Sequence, residues 1–143
     1  MYPGEPAPPG HPVRHAGRDE RGLDHSTAAG ISRRMVQLMS RYTGRGPNQA
    51  RTVLDPGFAL VILEDTLTKG EHSLVDAGEH ASVLAQRRTF QALMREEAIS
   101  AVEEITGRRV RTYLSDFSPG DGIAAELFLF DPSAGPESVE PAE

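Results

Sequence analysis

The sequence predicts an α+β domain of two layers, in which helices pack on one face of an antiparallel sheet made of two hairpins. Two observations predict this class. Segments with apolar residues at helical spacing stand near the start and in the middle of the chain, and two pairs of strand-like segments are each joined by turn-forming residues. The predicted order is α-β-β-α-α-β-β, so a hairpin stands on either side of the central helices.

The first helix is predicted over residues 28–43, and Gly44 follows it where a left-handed residue commonly ends a helix. Apolar residues form one continuous stripe along this helix: Ile31, Met35, Leu38, Met39 and Tyr42. Residues 1–27 come before it and contain five prolines and few large aliphatic residues, so they are predicted to be a disordered tail.

The first hairpin is predicted over residues 50–65, around the turn Asp55-Pro56-Gly57. Proline presets φ at the first corner of a type II turn, and glycine tolerates the positive φ needed at the second, so Gly57 is predicted to have a positive φ. The following strand, residues 58–63, is apolar on both alternating faces. It is therefore predicted to be central in the sheet or to lie at a contact between subunits.

Thr68 and Glu71 have the spacing of a capping box, which predicts a short helix after Thr68. A longer helix is predicted from about residue 80 to 106, and Gly107 ends it. The second hairpin joins strands over residues 110–115 and 123–130, because the residues between them are typical of turns.

Three segments are predicted along the chain: a disordered tail rich in proline and glycine over 1–27, an α+β domain over 28–130, and an acidic disordered tail over 131–143. The chain has no cysteine, which excludes disulfides, cysteine-bound metals and thiol nucleophiles. No apolar run approaches the roughly 20 residues that span a bilayer. The proline-rich start does not resemble a secretory signal, so a cytoplasmic protein is expected.

Candidate catalytic and metal-binding residues are few. His72 and His80 are eight positions apart, whereas metal-binding pairs on a helix prefer a spacing of three or four, so surface histidines are favoured. Asp116 lies near a strand end, where an acid is more often a turn cap than a catalytic group. Neither a nucleophile elbow nor a phosphate-binding loop is present. We therefore expect no catalytic residue, no metal, no cofactor and no enzymatic activity.

The arginines are unevenly distributed. Residues 31–54 hold five arginines and no acidic residue, in a chain whose net charge is −6. Arg41, Arg45 and Arg51 flank one helix-to-strand connection and are candidate anion-binding residues, because arginine suits oxyanions such as bicarbonate and phosphate. The alternative is that these arginines only balance acidic helix faces. The overall negative charge argues against nucleic acid as a partner.

Five short motifs, in this order, resemble the MpsC-like domain family, formerly a domain of unknown function. They are Thr43-Gly44-Arg45-Gly46-Pro47, Leu67-Thr68, the pair Leu74 and Gly78, the run from Glu104 to Val110, and Leu114-Ser115-Asp116-Phe117-Ser118-Pro119. The resemblance covers roughly residues 28–130. The family-motif residues it marks are Gly44, Gly46, Pro47, Thr68, Gly107, Ser115, Asp116 and Pro119. Gly70 departs from the family pattern, in which a proline is more usual.

This family is named after a sodium-translocating, membrane-potential-generating system, whose membrane partners are linked to bicarbonate uptake. The resemblance implies a non-enzymatic accessory or regulatory component that is cytoplasmic or held at the membrane by a protein partner. The apolar strand over residues 58–63 separately predicts a homodimer. The alternative function is an anion- or nucleic-acid-binding regulatory module that uses the arginines of residues 31–54 and a second cluster, Arg108, Arg109 and Arg111.

Overall fold

The computed structural model describes the backbone of residues 10–132 and the side chains of residues 25–132. The elements within this part of the chain are α1 (Gly10–Thr43), β1 (Gln49–Leu54), β2 (Phe58–Glu64), α2 (Lys69–Asp76), α3 (His80–Thr106), β3 (Val110–Ser118) and β4 (Ile123–Phe130). Their order is the predicted one, and the strands form one antiparallel sheet. The predicted α+β class is confirmed.

The sheet has the strand order β1-β2-β4-β3, so the two hairpins meet along β2 and β4. Phe58 pairs with Leu129 and Leu63 pairs with Ala124 along this seam. β2 is therefore central, as its apolar residues on both faces predicted, because a central strand has neighbours along both edges.

Alternate residues of the central strands point towards the helices and form the core. α1 packs against β1 and α3, and α3 also packs against β3. The fully buried members of this core include Ile31, Val61, Val83, Val102 and Phe128. Burial of this apolar surface stabilises the two layers against each other.

The opposite side of the sheet faces away from the helices, and we call it the outer face. Its side chains are half-buried or exposed, and Val53 and Leu114 retain 48% and 56% of their accessible surface. Most of its residues are nevertheless apolar. The outer face consists of Gln49, Arg51, Val53, Phe58, Leu60, Ile62, Glu64, Thr112, Leu114, Asp116, Ser118, Ile123, Ala125, Leu127 and Leu129.

The predicted start of the first helix, near residue 28, is wrong, because α1 begins at Gly10 and includes much of the segment predicted to be disordered. Pro12 is the last proline before α1 ends, and it stands in the first turn of the helix. Backbone amides of the first turn have no partner within the helix, so a proline there removes no hydrogen bond. The disorder predicted for residues 1–9 and 133–143 lies outside the described residues.

The predicted type II turn is also wrong, because Gly57 is not among the described glycines that have a positive φ. The Gly57 amide instead donates a hydrogen bond to the Asp55 carboxylate over 2.8 Å, and the Asp55 amide donates to the Phe58 carbonyl, also over 2.8 Å. An aspartate side chain that bonds the amide two residues ahead closes the turn without a left-handed residue.

Candidate functional site

Arg41, the first of the three candidate anion-binding arginines, bonds a carboxylate within the chain. It donates to Glu97 Oε2, while the Tyr42 hydroxyl donates to Glu97 Oε1 over 2.6 Å. The bond from Tyr42 and the charge of Arg41 lower the pKa of Glu97. A shallow surface cavity borders this group, lined by Arg34, Gln37, Leu38, Arg41, Glu97 and Ala101. At this cavity the charge of Arg41 is therefore already balanced by the Glu97 carboxylate of the same chain.

Arg45 joins the end of β2 to the start of α2. One guanidinium nitrogen donates to the backbone carbonyls of Asp65 and Leu67, with 2.9 Å to Leu67, and the other lies 3.2 Å from Asp65 Oδ2. The Asn48 side chain donates to the same carboxylate oxygen over 2.6 Å. Asp65 has a φ of 57°, which is uncommon for a residue other than glycine. Arg45 therefore stabilises an unusual backbone turn.

Arg51 is exposed on the outer face, on the edge strand β1 and opposite Ile62 of β2. It borders an open surface depression that also includes Asn48 and Glu64. The contacts of the described residues thus give the three arginines separate surroundings and join none of them to another. Anion binding by Arg41, Arg45 and Arg51 stays a prediction.

Several family-motif residues have identifiable structural roles. Gly44 and Gly107 follow α1 and α3 with φ values of 86° and 70°, the left-handed conformation that ends a helix. Thr68 caps α2, and its hydroxyl accepts from the Glu71 amide, so the predicted capping box is confirmed. Asp116 accepts from the Phe117 amide over 2.8 Å.

The remaining motif residues lie in connections or on the sheet. Gly46 and Pro47 belong to the connection from α1 to β1, and a side chain at Gly46 would contact Val36. Pro119 lies in the turn between β3 and β4. Ser115 lies on the helix side of β3, opposite Glu126.

A buried ion pair between Arg87 and Glu71 was not predicted from the sequence. Arg87 donates to both carboxylate oxygens of Glu71 and also to the Thr66 carbonyl, and its guanidinium lies 4.5 Å from the centre of the Phe117 ring. Burial opposes ionisation of Glu71, but the bonds from Arg87 and the Thr68 amide outweigh it and lower its pKa. The sequence did contain a signal that Arg87 is buried: it stands four positions after Val83, so both residues lie on the inward side of α3.

Glu126 is a second buried acid that the sequence prediction missed. It lies on the helix side of the central strand β4, and the Tyr113 hydroxyl donates to Oε1. Burial raises the pKa of Glu126 to about 7, although the nearby hydroxyls of Tyr113 and Ser115 lower it. The signal was visible in the sequence, since Glu126 interrupts the inward apolar series of Ala124, Phe128 and Phe130.

A small cavity lies beside Glu126 and is otherwise mostly apolar. It is lined by Met35, Leu38, Met39, Leu63, Met94, Ala98, Tyr113 and Glu126. Ser115 Oγ is the buried side-chain polar atom in the described part of the chain that makes no hydrogen bond of standard geometry, although it lies near enough to Glu126 to lower the pKa of that carboxyl. Glu126 thus faces this apolar cavity with the Tyr113 hydroxyl as its donor, whereas the donors of Arg87 are engaged with Glu71, Thr66 and Met39.

The described residues contain no group of three or more histidine, aspartate or glutamate side chains placed to hold a metal ion. His72 and His80, the spaced histidines of the sequence, lie on α2 and at the start of α3 and are both exposed. None of the helices, over the part of the chain that was described, is both long enough and apolar enough to cross a membrane.

Comparison with known proteins supports one family. A family model described as "MpsC: Na+-translocating membrane potential-generating system (MpsC)" matches residues 24–132. Comparisons with curated proteins and with solved structures gave no match. The matched span includes the whole sheet, α2, α3 and the packed part of α1. The resemblance that the motifs predicted is thereby confirmed, and the chain belongs to the MpsC family of the Na⁺-translocating, membrane-potential-generating system.

Proposed function

We propose that this chain is a non-enzymatic accessory or regulatory component of a membrane-potential-generating system that supports bicarbonate uptake. In this proposal, membrane partners carry the ions, and the chain acts from the cytoplasm by binding one of them. The observation that carries the proposal is the family match, because it covers 24–132 and therefore the complete α+β domain.

The contacts within the domain favour binding over chemistry. The buried charges of Arg87 and Glu71 are paired with each other, and the exposed Arg41 and Arg45 bond Glu97 and Asp65. Charges used in this way stabilise a fold and do not present a reacting group to a substrate. Glu126 is enclosed, so it is better placed to tune the stability of the domain than to attack a ligand.

The experiment is a gene deletion in the source organism, followed by two measurements. A voltage-sensitive dye reports the Na⁺-dependent membrane potential, and labelled bicarbonate reports inorganic-carbon uptake. We expect both to fall after deletion and to recover when the full chain is supplied again. Unchanged values for both would contradict the accessory role.

A second deletion provides the control. When the membrane component of the system is removed first, loss of this chain should cause no further decrease in potential or uptake, because the two act together. An additional decrease would show that the chain acts elsewhere. A fall in potential with normal bicarbonate uptake would contradict the carbon-uptake part of the proposal.

A further inference from the structure

The outer face is arranged in rows of residues that pair across the four strands. The central row is entirely apolar and runs from β1 to β3 as Val53, Leu60, Leu127 and Leu114. The neighbouring row has apolar residues on β2 and β4 but opposite charges at its two ends, Arg51 on β1 and Asp116 on β3. Arg51 and Asp116 are both exposed. A single copy thus leaves an apolar strip open, with a positive charge at one edge and a negative charge at the other.

We propose that two copies of this chain pack outer face to outer face, about a twofold axis parallel to the strands and between β2 and β4. Rotation about this axis reverses the order of the strands in the second copy, and each row then lies over the same row of the first copy. β1 then covers β3 of the second copy, so Arg51 meets the partner's Asp116, and Asp116 meets the partner's Arg51. Sheets packed face to face lie about 10 Å apart, a distance that an arginine and an aspartate side chain can bridge together.

The charges favour this axis over the other twofold arrangement of two stacked sheets. An axis across the strands would place Arg51 near the partner's Asp55 and would leave Asp116 opposite the partner's Thr112. Either axis places the apolar central row against itself, as a self-complementary interface requires, but only the axis along the strands pairs Arg51 with Asp116. The third charge of this face, Glu64, lies beside Arg51 in the outermost row, opposite Gln49.

The size of the outer face indicates how tightly two copies should associate. Four strands about 4.8 Å apart, each contributing about six residues at roughly 3.3 Å per residue, give a face of roughly 400 Å². Two such faces lie below the roughly 1,200–2,000 Å² buried in most specific interfaces. We therefore expect a reversible dimer that dissociates on dilution, not a permanent one.

The first test is analytical ultracentrifugation of the full chain over a range of concentrations. The mass should rise with concentration from 15.5 kDa towards about twice that value. Leu114→Glu should abolish the dimer, because it places a charge in the central apolar row. Leu93→Glu is the matched control, since Leu93 is similarly exposed (58%) but lies on α3, away from the sheet, and it should leave the dimer intact.

The second test exchanges the charges and identifies the axis. Arg51→Glu and Asp116→Lys should each weaken the dimer about tenfold or more, because each places like charges opposite one another twice. An equimolar mixture of the two variants should dimerise again, since every facing pair is then of opposite charge. Arg88→Glu, on the exposed side of α3, is the control for charge change alone and should have no effect.

Three outcomes would overturn the proposal: a monomer at every concentration, a dimer insensitive to Leu114→Glu, or no recovery in the mixture. Circular dichroism of each variant establishes that the fold is retained, and the mixing experiment is internally controlled because both variants are present alone and together. The proposal does not depend on the accessory role, because deletion in cells tests that role and sedimentation tests the dimer.

Discussion

Arg87 on α3 and Glu71 on α2 form a buried ion pair with two parallel hydrogen bonds, from Nε to Oε2 over 2.8 Å and from the terminal nitrogen to Oε1 over 2.7 Å. Glu71 Oε1 also accepts the Thr68 amide, and Arg87 also donates to the Thr66 carbonyl. This one pair of side chains therefore links α2 with α3 and with the connection that follows β2. The capping box of α2 depends on the same carboxylate as the ion pair.

Replacing Arg87 with methionine should lower the free energy of unfolding by about 3–5 kcal/mol, because it leaves the Glu71 carboxylate buried without its counter-charge. Arg88→Met is the matched control on the exposed side of the same helix and should change stability by less than about 0.5 kcal/mol. Urea denaturation followed by circular dichroism measures both. Equal stability of the two variants would contradict the structural importance of the pair.

Glu126 should make the domain less stable as the pH rises. Its pKa is about 7 in the folded chain against an ordinary value of 4.5, so between these pH values the folded state binds its proton more firmly than the unfolded state does. The free energy of unfolding therefore falls through this window, by roughly 3 kcal/mol in total, and the loss is complete above pH 7.

Glu126→Gln keeps the size of the side chain and removes its charge, so its stability relative to the unchanged chain should increase from pH 5 to pH 8. Thermal melts of both proteins across this range measure the difference. Glu96→Gln changes an exposed glutamate of α3 and should follow the unchanged chain. If the stability of Glu126→Gln changed with pH in the same way as that of the unchanged chain, Glu126 would have an ordinary pKa and would be ionised in the folded state.

The sequence predicted the framework of this domain because local signals determine it. Thr68 with Glu71 specified a cap, Gly107 specified a helix end, and the apolar residues of β2 specified a central strand. The partners of buried charges were not predicted, because Arg87 meets Glu71 only after α2 has folded against α3. The predicted turn at Gly57 was wrong because a single hydrogen bond, from the Gly57 amide to the Asp55 carboxylate, outweighed the usual preference of a proline-glycine pair.

Gly122 should be the glycine least tolerant of alanine among the left-handed glycines of the described chain. Its φ is 67°, and an added Cβ would lie 2.9 Å from Leu67 Cγ, closer than real contacts allow. Gly78 has a φ of 81° but nothing within 4 Å of the same position. Gly78→Ala should thus cost about 1 kcal/mol for backbone strain, and Gly122→Ala about 1–3 kcal/mol more. Chemical denaturation compares the two, and equal losses would contradict the close approach of Leu67.

Substitutions of Arg45 and Arg51 distinguish a structural role of these arginines from a role in anion binding. Arg45→Gln should lower stability by about 1–2 kcal/mol, because the carbonyls of Asp65 and Leu67 lose their donor. Arg51→Gln should leave monomer stability nearly unchanged, since Arg51 is exposed and makes no comparable contact among the described residues. Unfolding in urea at a low protein concentration, which disfavours self-association, measures both.

Anion binding is tested on the same proteins by NMR, with bicarbonate, phosphate and an oligonucleotide as separate titrants. We expect no saturable shifts at Arg45 or Arg51, because Arg45 is already bonded to Asp65 and the net charge of −6 repels anions. Saturation below physiological anion concentrations, lost in both glutamine variants, would contradict this expectation and favour the anion-binding alternative. For the oligonucleotide, a steep loss of affinity with added salt would further identify phosphate contacts as the cause.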